Sequence, residues 1–235
     1  MKLSSRLQAI ADFVPQNTIV GDIGTDHGYI PVYLMENGVT KKVIATDLSK
    51  NSLEKINLFV RERKLENYID IRLGNGLEVL KPFEIDTVVI AGMGGLLIRD
   101  ILDKDKEKRD SITNFILQPN IATKELRKYL YENNFEIIDE KLVKEDDKFY
   151  EVIYAKKGKS HIEHSIYYEI GEKLILNDDS LLKEFLEEKV AIIEKILQEL
   201  KDKNTERSKE RYKELSNKIR DLKVVLKKIE SNRDY

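Results

Sequence analysis

Three aspartates and a set of glycines stand where a chain could hold a charged small molecule. The run Asp22-Ile23-Gly24-Thr25-Asp26-His27-Gly28-Tyr29 closes an apolar stretch beginning at Thr18. Gly24 and Gly28 suit a tight strand-to-helix turn that admits a ligand close to the backbone. A dinucleotide fingerprint, G-x-G-x-x-G, would have its second glycine where this chain has Asp26. A carboxylate there repels a diphosphate and attracts an ammonium group, and Asp22 at the strand end offers the same attraction. Asp47 ends a second apolar run, 23 residues after Gly24. An acid in that place can accept hydrogen bonds from both hydroxyls of a ribose. A third run is followed by Gly74-Asn75-Gly76, where the Asn75 amide, with Gly76 leaving room beside it, can reach the edge of an adenine.

The ligand that answers this ordered set is a zwitterionic nucleoside, S-adenosylmethionine, rather than a nicotinamide dinucleotide. Each element also has a plainer reading. A strand-end aspartate is often a helix cap, and a histidine such as His27 on a turn is more often hydrogen-bonded structure than a base. Tyr29 is read as lining the pocket.

A second group of residues lies further on. Ala91-Gly92-Met93-Gly94-Gly95 follows the fourth apolar run, and its glycines leave backbone amides open and admit a flat ring. Gln118-Pro119-Asn120 follows the fifth. A side-chain amide carries both a donor and an acceptor, which suits the pairing edge of a base. The alternative is a turn in which Pro119 ends the strand. The Asn or Asp with two prolines and an aromatic that marks many amino-group methyltransferases is absent here.

The elements that must position these residues are legible as alternating strand and helix patterns over the first ~157 residues. Strands are expected at 18–23, 43–47, 69–73, 86–91, 115–117, 136–143 and 149–155. Helices are expected at 29–37, 50–64 with Ser49 as N-cap, 95–105 and 122–133. Leu3, Leu7, Ile10 and Ala11 give a further helix near the mouth of the site, read first as structural support, with Arg6 on its other face as the alternative, a contact to a substrate phosphate. Such alternation means an α/β fold, a doubly wound, Rossmann-like sheet of seven strands. The acidic stretch Glu145 to Lys148 reads as a hairpin loop, which turns the last strand antiparallel. Ligands in such sheets bind at the carboxyl ends of the strands, near the switch in strand order.

Composition bounds the chemistry. The chain of 235 residues has no cysteine, which excludes disulfides, thiolate zinc sites and cysteine nucleophiles, and only three histidines, so no metal centre is expected. No stretch approaches a membrane span and the first residues have no signal-peptide core, so a cytoplasmic protein with no membrane partner is expected. Charges nearly balance, 41 basic against 43 acidic, yet 36% of residues are charged, well above the ~25% of a typical domain. After Gly158 proline disappears. Leu182, Leu186, Val190, Ile193, Leu197 and Leu200 form one helical stripe, and Tyr212, Leu215, Ile219, Leu222, Leu226 and Ile229 form a heptad seam. A polar turn around Lys203-Asn204-Thr205 separates them, and a shorter helix is expected over 164–176. The expected division is therefore 1–158, a cofactor-binding catalytic domain, and 159–235, a helical coiled-coil hairpin within a monomer. Residues 204–228 hold nine Lys/Arg against four acids. Such a helix can follow a phosphate backbone or simply be a solvated face.

The segments DIGTDHGYIP, AGMGGLLIRDIL and FILQPN resemble the bacterial tRNA (adenine-N1)-methyltransferase family called TrmK. The resemblance spans the catalytic region, and the tail matches in pattern. It implies a class I methyltransferase fold, S-adenosylmethionine as cofactor, and methylation of N1 of adenine 22 in the D-loop region of tRNA. The positions it carries over are Asp22, Gly24, Asp26, His27, Tyr29, Asp47, Asn75, Gly92 and Met93 toward the cofactor, and Gln118, Pro119 and Asn120 toward the base. The alternatives are a same-fold methyltransferase acting on another RNA, a protein or a small molecule, and an RNA-binding protein that has lost catalysis.

Overall fold

The computed structural model describes residues 1–203 and 205–233, so Asn204 of the expected turn lies outside the described residues. The chain divides into two compact units, residues 1–162 and 163–235.

The first unit is a seven-stranded sheet in the order β3-β2-β1-β4-β5-β7-β6. Its strands are β1 (Thr18–Ile23), β2 (Thr40–Asp47), β3 (Ile69–Leu73), β4 (Thr87–Gly94), β5 (Asn114–Ile121), β6 (Phe135–Glu145) and β7 (Lys148–Lys157). β7 runs antiparallel to both its neighbours. The other neighbouring pairs are parallel. The central strands are apolar on both faces because helices cover both. Ile23, Val88, Ile90, Phe115 and Leu117 face α4 (Gly95–Lys104) and α6 (Thr123–Glu132). Val20, Val43, Val89 and Ile116 face α1 (Ser5–Asp12), α2 (Tyr29–Glu36) and α3 (Lys50–Glu62). Ser49 caps α3 as the sequence predicts, its hydroxyl accepting from Ser52 N–H at 3.2 Å. The β6–β7 turn is the dipeptide Asp146-Asp147, with φ of 50° and 59°, the left-handed pair that suits the twist of a two-residue hairpin.

The structure changes two boundaries that bear on the site. β5 does not end at Leu117. It runs to Ile121, so Gln118, Pro119 and Asn120 are strand residues, not a turn. Pro119 is tolerated because pairing with β7 stops at Leu117, and on the other side it sits at an irregularity in the β4 ladder between Ala91 and Met93. β4 likewise continues through Met93 and Gly94, and α4 starts directly at Gly95. A short helix α5 (Lys106–Ser111) follows α4 and has no counterpart in the sequence reading.

The second unit holds α7 (Ile166–Ile170), α8 (Glu172–Leu176), α9 (Leu182–Leu200) and α10 (Glu206–Arg233). The single helix expected over 164–176 is broken at Gly171, whose φ is 94°. Lys183 pairs with Glu230 at 3.0 Å and Lys223 with Glu194 at 2.7 Å, so α9 and α10 form an antiparallel hairpin. Leu215, Leu222, Val225 and Ile229 are buried on α10. Val225 therefore takes the place expected of Leu226, and Tyr212 is exposed.

Candidate active site

The strand order reverses between β1 and β4, and the carboxyl ends there open into one cleft of about 470 Å³. Its wall includes Asp22, Gly24, Asp26, His27, Tyr29, Asp47, Gly92, Met93 and Asn120, all predicted from the sequence. It also includes Arg6, Leu7, Thr25, Ile30 and Ala91. Asn75, Gly76, Gln118 and Pro119 are not part of that wall. Asn75 is exposed just past the end of β3, whose Leu73 pairs with Asp47. Gly76 is buried, with φ of 58°, and a Cβ there would lie 3.0 Å from Ile101, so this glycine serves packing.

The cofactor side is built by the turns after β1 and β2. Gly24, at φ 73°, could not carry a Cβ without overlapping the Met93 methyl group, which brings the β1 and β4 ends together. Gly28, at φ 74°, starts α2. Asp22 is only 5% exposed, with no ion pair among the described residues. Burial, reinforced by the nearby Asp47 charge and opposed by the Thr25 hydroxyl, pushes its carboxyl up to about 6. Asp26 is exposed, its carboxylate 2.8 Å from His27 Nδ1. The His27 ring lies parallel to Tyr29 at a centroid distance of 5.4 Å, and Tyr29 meets Phe59 edge-on at 5.9 Å. Stacked and held by Asp26, His27 has the setting of a structural residue. Asp47 accepts from Asp26 N–H through Oδ2 at 3.2 Å and from Ser49 N–H through Oδ1 at 2.7 Å. Each of its oxygens keeps a free lone pair toward a ligand. A buried carboxylate without a cation, a second carboxylate at the rim and a third at a strand end fit an ammonium group and a ribose diol.

The other side of the cleft is a chain of amides. Gln118 is fully buried. Its Oε1 accepts from Arg6 Nη1 at 2.8 Å and from Gly92 N–H at 3.2 Å. Its Nε2 donates to Pro119 C=O at 2.9 Å and to Asn120 Oδ1 at 3.1 Å. Both acceptor positions and both protons are used, so Gln118 cannot read a base, contrary to the expectation for it. Pro119 is buried and has no polar side-chain atom, which corrects its placing among the catalytic residues. Asn120 is exposed, and its Nδ2 donates to Gly92 C=O at 2.8 Å. One proton on Nδ2 and one lone pair on Oδ1 remain, a donor–acceptor pair facing the opening. Arg6, for which the sequence offers structural support first and a phosphate contact second, is engaged inside this wall. The apolar spacing of its helix gave the position, and nothing in the sequence gave the partner.

The sequence profile of the tRNA (adenine(22)-N(1))-methyltransferase family, TrmK, matches residues 20–224. The tRNA (adenine(22)-N(1))-methyltransferase of Bacillus subtilis is 34% identical over 96% of this chain and 98% of its own length. The crystal structure of the B. subtilis m1A22 tRNA methyltransferase TrmK superposes with a TM-score of 0.87 at 33% identity, covering 96% of this chain and 99% of that one. M. capricolum TrmK in complex with S-adenosyl-homocysteine gives 0.85 at 34% identity, over 97% and 100% of the two chains. With the family profile matching most of the chain and a 34% identical relative matched over nearly its full length, this chain belongs to the tRNA (adenine(22)-N(1))-methyltransferase family.

Proposed function

We propose that the protein transfers a methyl group from S-adenosylmethionine to N1 of adenine 22, in the D-loop region of tRNA, acting as a monomer in the cytoplasm. The observation that carries this is the family match over residues 20–224 coinciding with a cleft whose three aspartates suit a cationic nucleoside. Asp22 and Asp26 take the ammonium group and Asp47 the ribose hydroxyls. Gly24, Gly92 and Met93 leave room for the ligand against the backbone, with His27 and Tyr29 as one wall and Asn75 at the adenine edge. Residues 1–158 form the catalytic part, and the basic face of the second unit adds phosphate contacts.

When bound, the cofactor supplies an activated methyl group on a cationic sulfur. N1 of neutral adenine has an in-plane lone pair, so no residue has to remove a proton before the N–C bond forms. What the protein supplies is alignment. N1 lies on the pairing edge, so the base must be unpaired or extruded to meet it. Asn120 can accept from N6–H of that edge through its remaining Oδ1 lone pair, which leaves the N1 lone pair free for the methyl group and fixes the plane of the base. The product base is cationic, and its N6 proton can leave afterwards to water.

The test is methyl transfer to unmodified total tRNA, with the modified nucleoside and its position identified by mass spectrometry. Expected is 1-methyladenosine at position 22 alone. Modification elsewhere, or none with cofactor bound, refutes the reading.

A further inference from the structure

Arg6 reaches the cleft from α1, a helix outside the sheet. We infer that Arg6 is a positioning residue for the acceptor site: acting through Gln118, it fixes the orientation in which Asn120 presents its amide. This inference rests on the methyl-transfer reading of the same cleft.

The argument is one of donors and acceptors. An arginine has only donors and keeps its charge at any working pH, and a backbone N–H also only donates. Arg6 Nη1 and Gly92 N–H converge on one atom, Gln118 Oε1, at 2.8 and 3.2 Å. The buried Gln118 amide can therefore stand only one way round, with Nε2 facing Asn120 Oδ1 at 3.1 Å. That in turn leaves Asn120 Nδ2 toward the Gly92 carbonyl at 2.8 Å. Turning the Gln118 amide over would set donor against donor at a side chain that is itself fully buried, which is costly. It would also turn Asn120, placing an oxygen against the Gly92 carbonyl. Without the guanidinium, Gly92 N–H alone opposes that turn.

Arg6 is itself held from two further directions. Its backbone N–H, in the first turn of α1, donates to Glu145 Oε2 at 3.0 Å. Its guanidinium lies over the Tyr150 ring, 5.2 Å from the centroid. Both partners belong to the β6–β7 hairpin. A side chain folded back onto the sheet in this way is placed to orient protein groups rather than to reach out to a phosphate.

The test compares full-length wild type with Arg6→Met and Arg6→Lys. Losing a hydrogen bond from a charged group corresponds to a fall in kcat of about ten- to a hundredfold for Arg6→Met. The KM for tRNA and the cofactor Kd should stay unchanged. Arg6→Lys keeps a donor-only cation and should recover most of the rate. A structural readout needs no activity: the side-chain amide resonances of Gln118 and Asn120, identified by their loss in Gln118→Glu and Asn120→Asp. Expected are slowly exchanging, dispersed pairs in wild type and averaged ones in Arg6→Met. If Arg6→Met fails to fold, Gln118→Glu reads the same link, since it can still accept from Arg6 but cannot donate to Asn120, and it should lose kcat likewise. A raised KM with a weaker salt dependence and unchanged kcat would make Arg6 a phosphate contact and overturn the inference. So would Arg6→Met with wild-type kcat and wild-type amide resonances. If wild type itself transfers no methyl group, the proposed function fails, and the amide resonances alone decide the role of Arg6.

Discussion

Asp26 N–H donates to Asp47 Oδ2 at 3.2 Å, across the turns that follow β1 and β2. One carboxylate thus organises both halves of the cofactor side, since its other oxygen caps Ser49 N–H at 2.7 Å. Asp47→Ala should weaken S-adenosylmethionine binding by several-fold to about a hundredfold, because hydrogen bonds to a charged group contribute ~1.5–3 kcal/mol. The sequence alone suggests that stability without ligand would hardly change. With two backbone amides on Asp47, a loss of about 1 kcal/mol is expected instead. Calorimetric titration and urea denaturation of the free protein measure the two effects. Wild-type affinity in the variant would remove Asp47 from the site.

Asp22 gives the site a pH dependence. Its carboxyl is raised to about 6 in the folded protein, above its unfolded value of ~3.9. In the free protein the stability it contributes is fully present below the unfolded value and is lost as pH rises through about 6. Asp22→Asn should therefore be more stable than wild type at pH 7, by a few kcal/mol (order-of-magnitude), with the difference gone by about pH 4. A cationic ligand reverses the preference. Cofactor binding to wild type should weaken as pH falls below about 6 and should release protons there, while Asp22→Asn should bind weakly with a flat profile. Calorimetry in buffers of different ionisation enthalpy counts the protons. A wild-type affinity independent of pH between 5 and 7.5 contradicts the assignment.

Asn120 and Gln118 should separate kinetically from Asp47. Asn120→Ala removes the remaining donor and acceptor that face the opening, so it should lower turnover more than cofactor affinity, by about ten- to a hundredfold in kcat. Normal turnover on saturating tRNA would move the acceptor contact to the Gly92–Gly95 segment.

Where the sequence was legible, one local signal decided the outcome. Ile69 to Leu73 alternates with period two and is β3 to the residue. Ser49 caps α3 because its hydroxyl precedes a clear apolar stripe. The Asp22, Asp26 and Asp47 set was readable because strand ends converge in a doubly wound sheet whatever the helices between them do. The extension of β5 through Pro119 was hidden because proline argues against a strand, and only the end of the β7 ladder at Leu117 makes it harmless. The amide relay was hidden for another reason. Arg6 and Gln118 are 112 residues apart, and no periodicity links them. On α10 the heptad seam drifted, with Val225 buried instead of Leu226, as a straight helix of 3.6 residues per turn departs from a 3.5-residue pattern.

Behind the acceptor strand lies a charge cluster. Arg127 of α6 is fully buried and donates through Nε to Glu140 Oε1 and through Nη2 to Glu151 Oε2, both at 2.6 Å. The two acceptors stand on β6 and β7, so the pair of bonds ties that hairpin to the helix. Arg127→Met would leave two carboxylates without their cation and should destabilise the protein by about 3–5 kcal/mol. Replacing all three together by apolar residues of similar volume should cost far less, since the penalty comes from uncompensated charge. Denaturation midpoints of the single and triple variants decide it. Equal losses in both would mean that packing, not charge, dominates.

The last prediction concerns the basic helix. The nine cations of residues 204–228 are not equally available. Lys218 is paired with Glu169 at 2.6 Å, Lys223 with Glu194 at 2.7 Å, Lys209 with Glu206 at 2.9 Å and Arg211 with Glu214 at 2.7 Å. Arg220 leans on Asn217 and Asp221. Arg207, Lys213, Lys227 and Lys228 are exposed and have no ion pair among the described residues, so these four are the cations free to meet phosphates, and Lys213 and Lys227 are the pair chosen for the test. Both lie off the buried Leu215, Leu222, Val225 and Ile229 face, and Lys213→Glu with Lys227→Glu should leave the hairpin folded. The double variant should bind S-adenosylmethionine as wild type does and bind tRNA more weakly. Each phosphate contact adds a little under about one unit to the slope of log affinity against log salt, so the slope should fall by about one to two units and the two proteins should converge at high salt. Filter binding of one tRNA across a salt series reads both quantities. Equal affinity and equal slope would leave the second unit as a folding or assembly element and place the RNA footprint on residues 1–162.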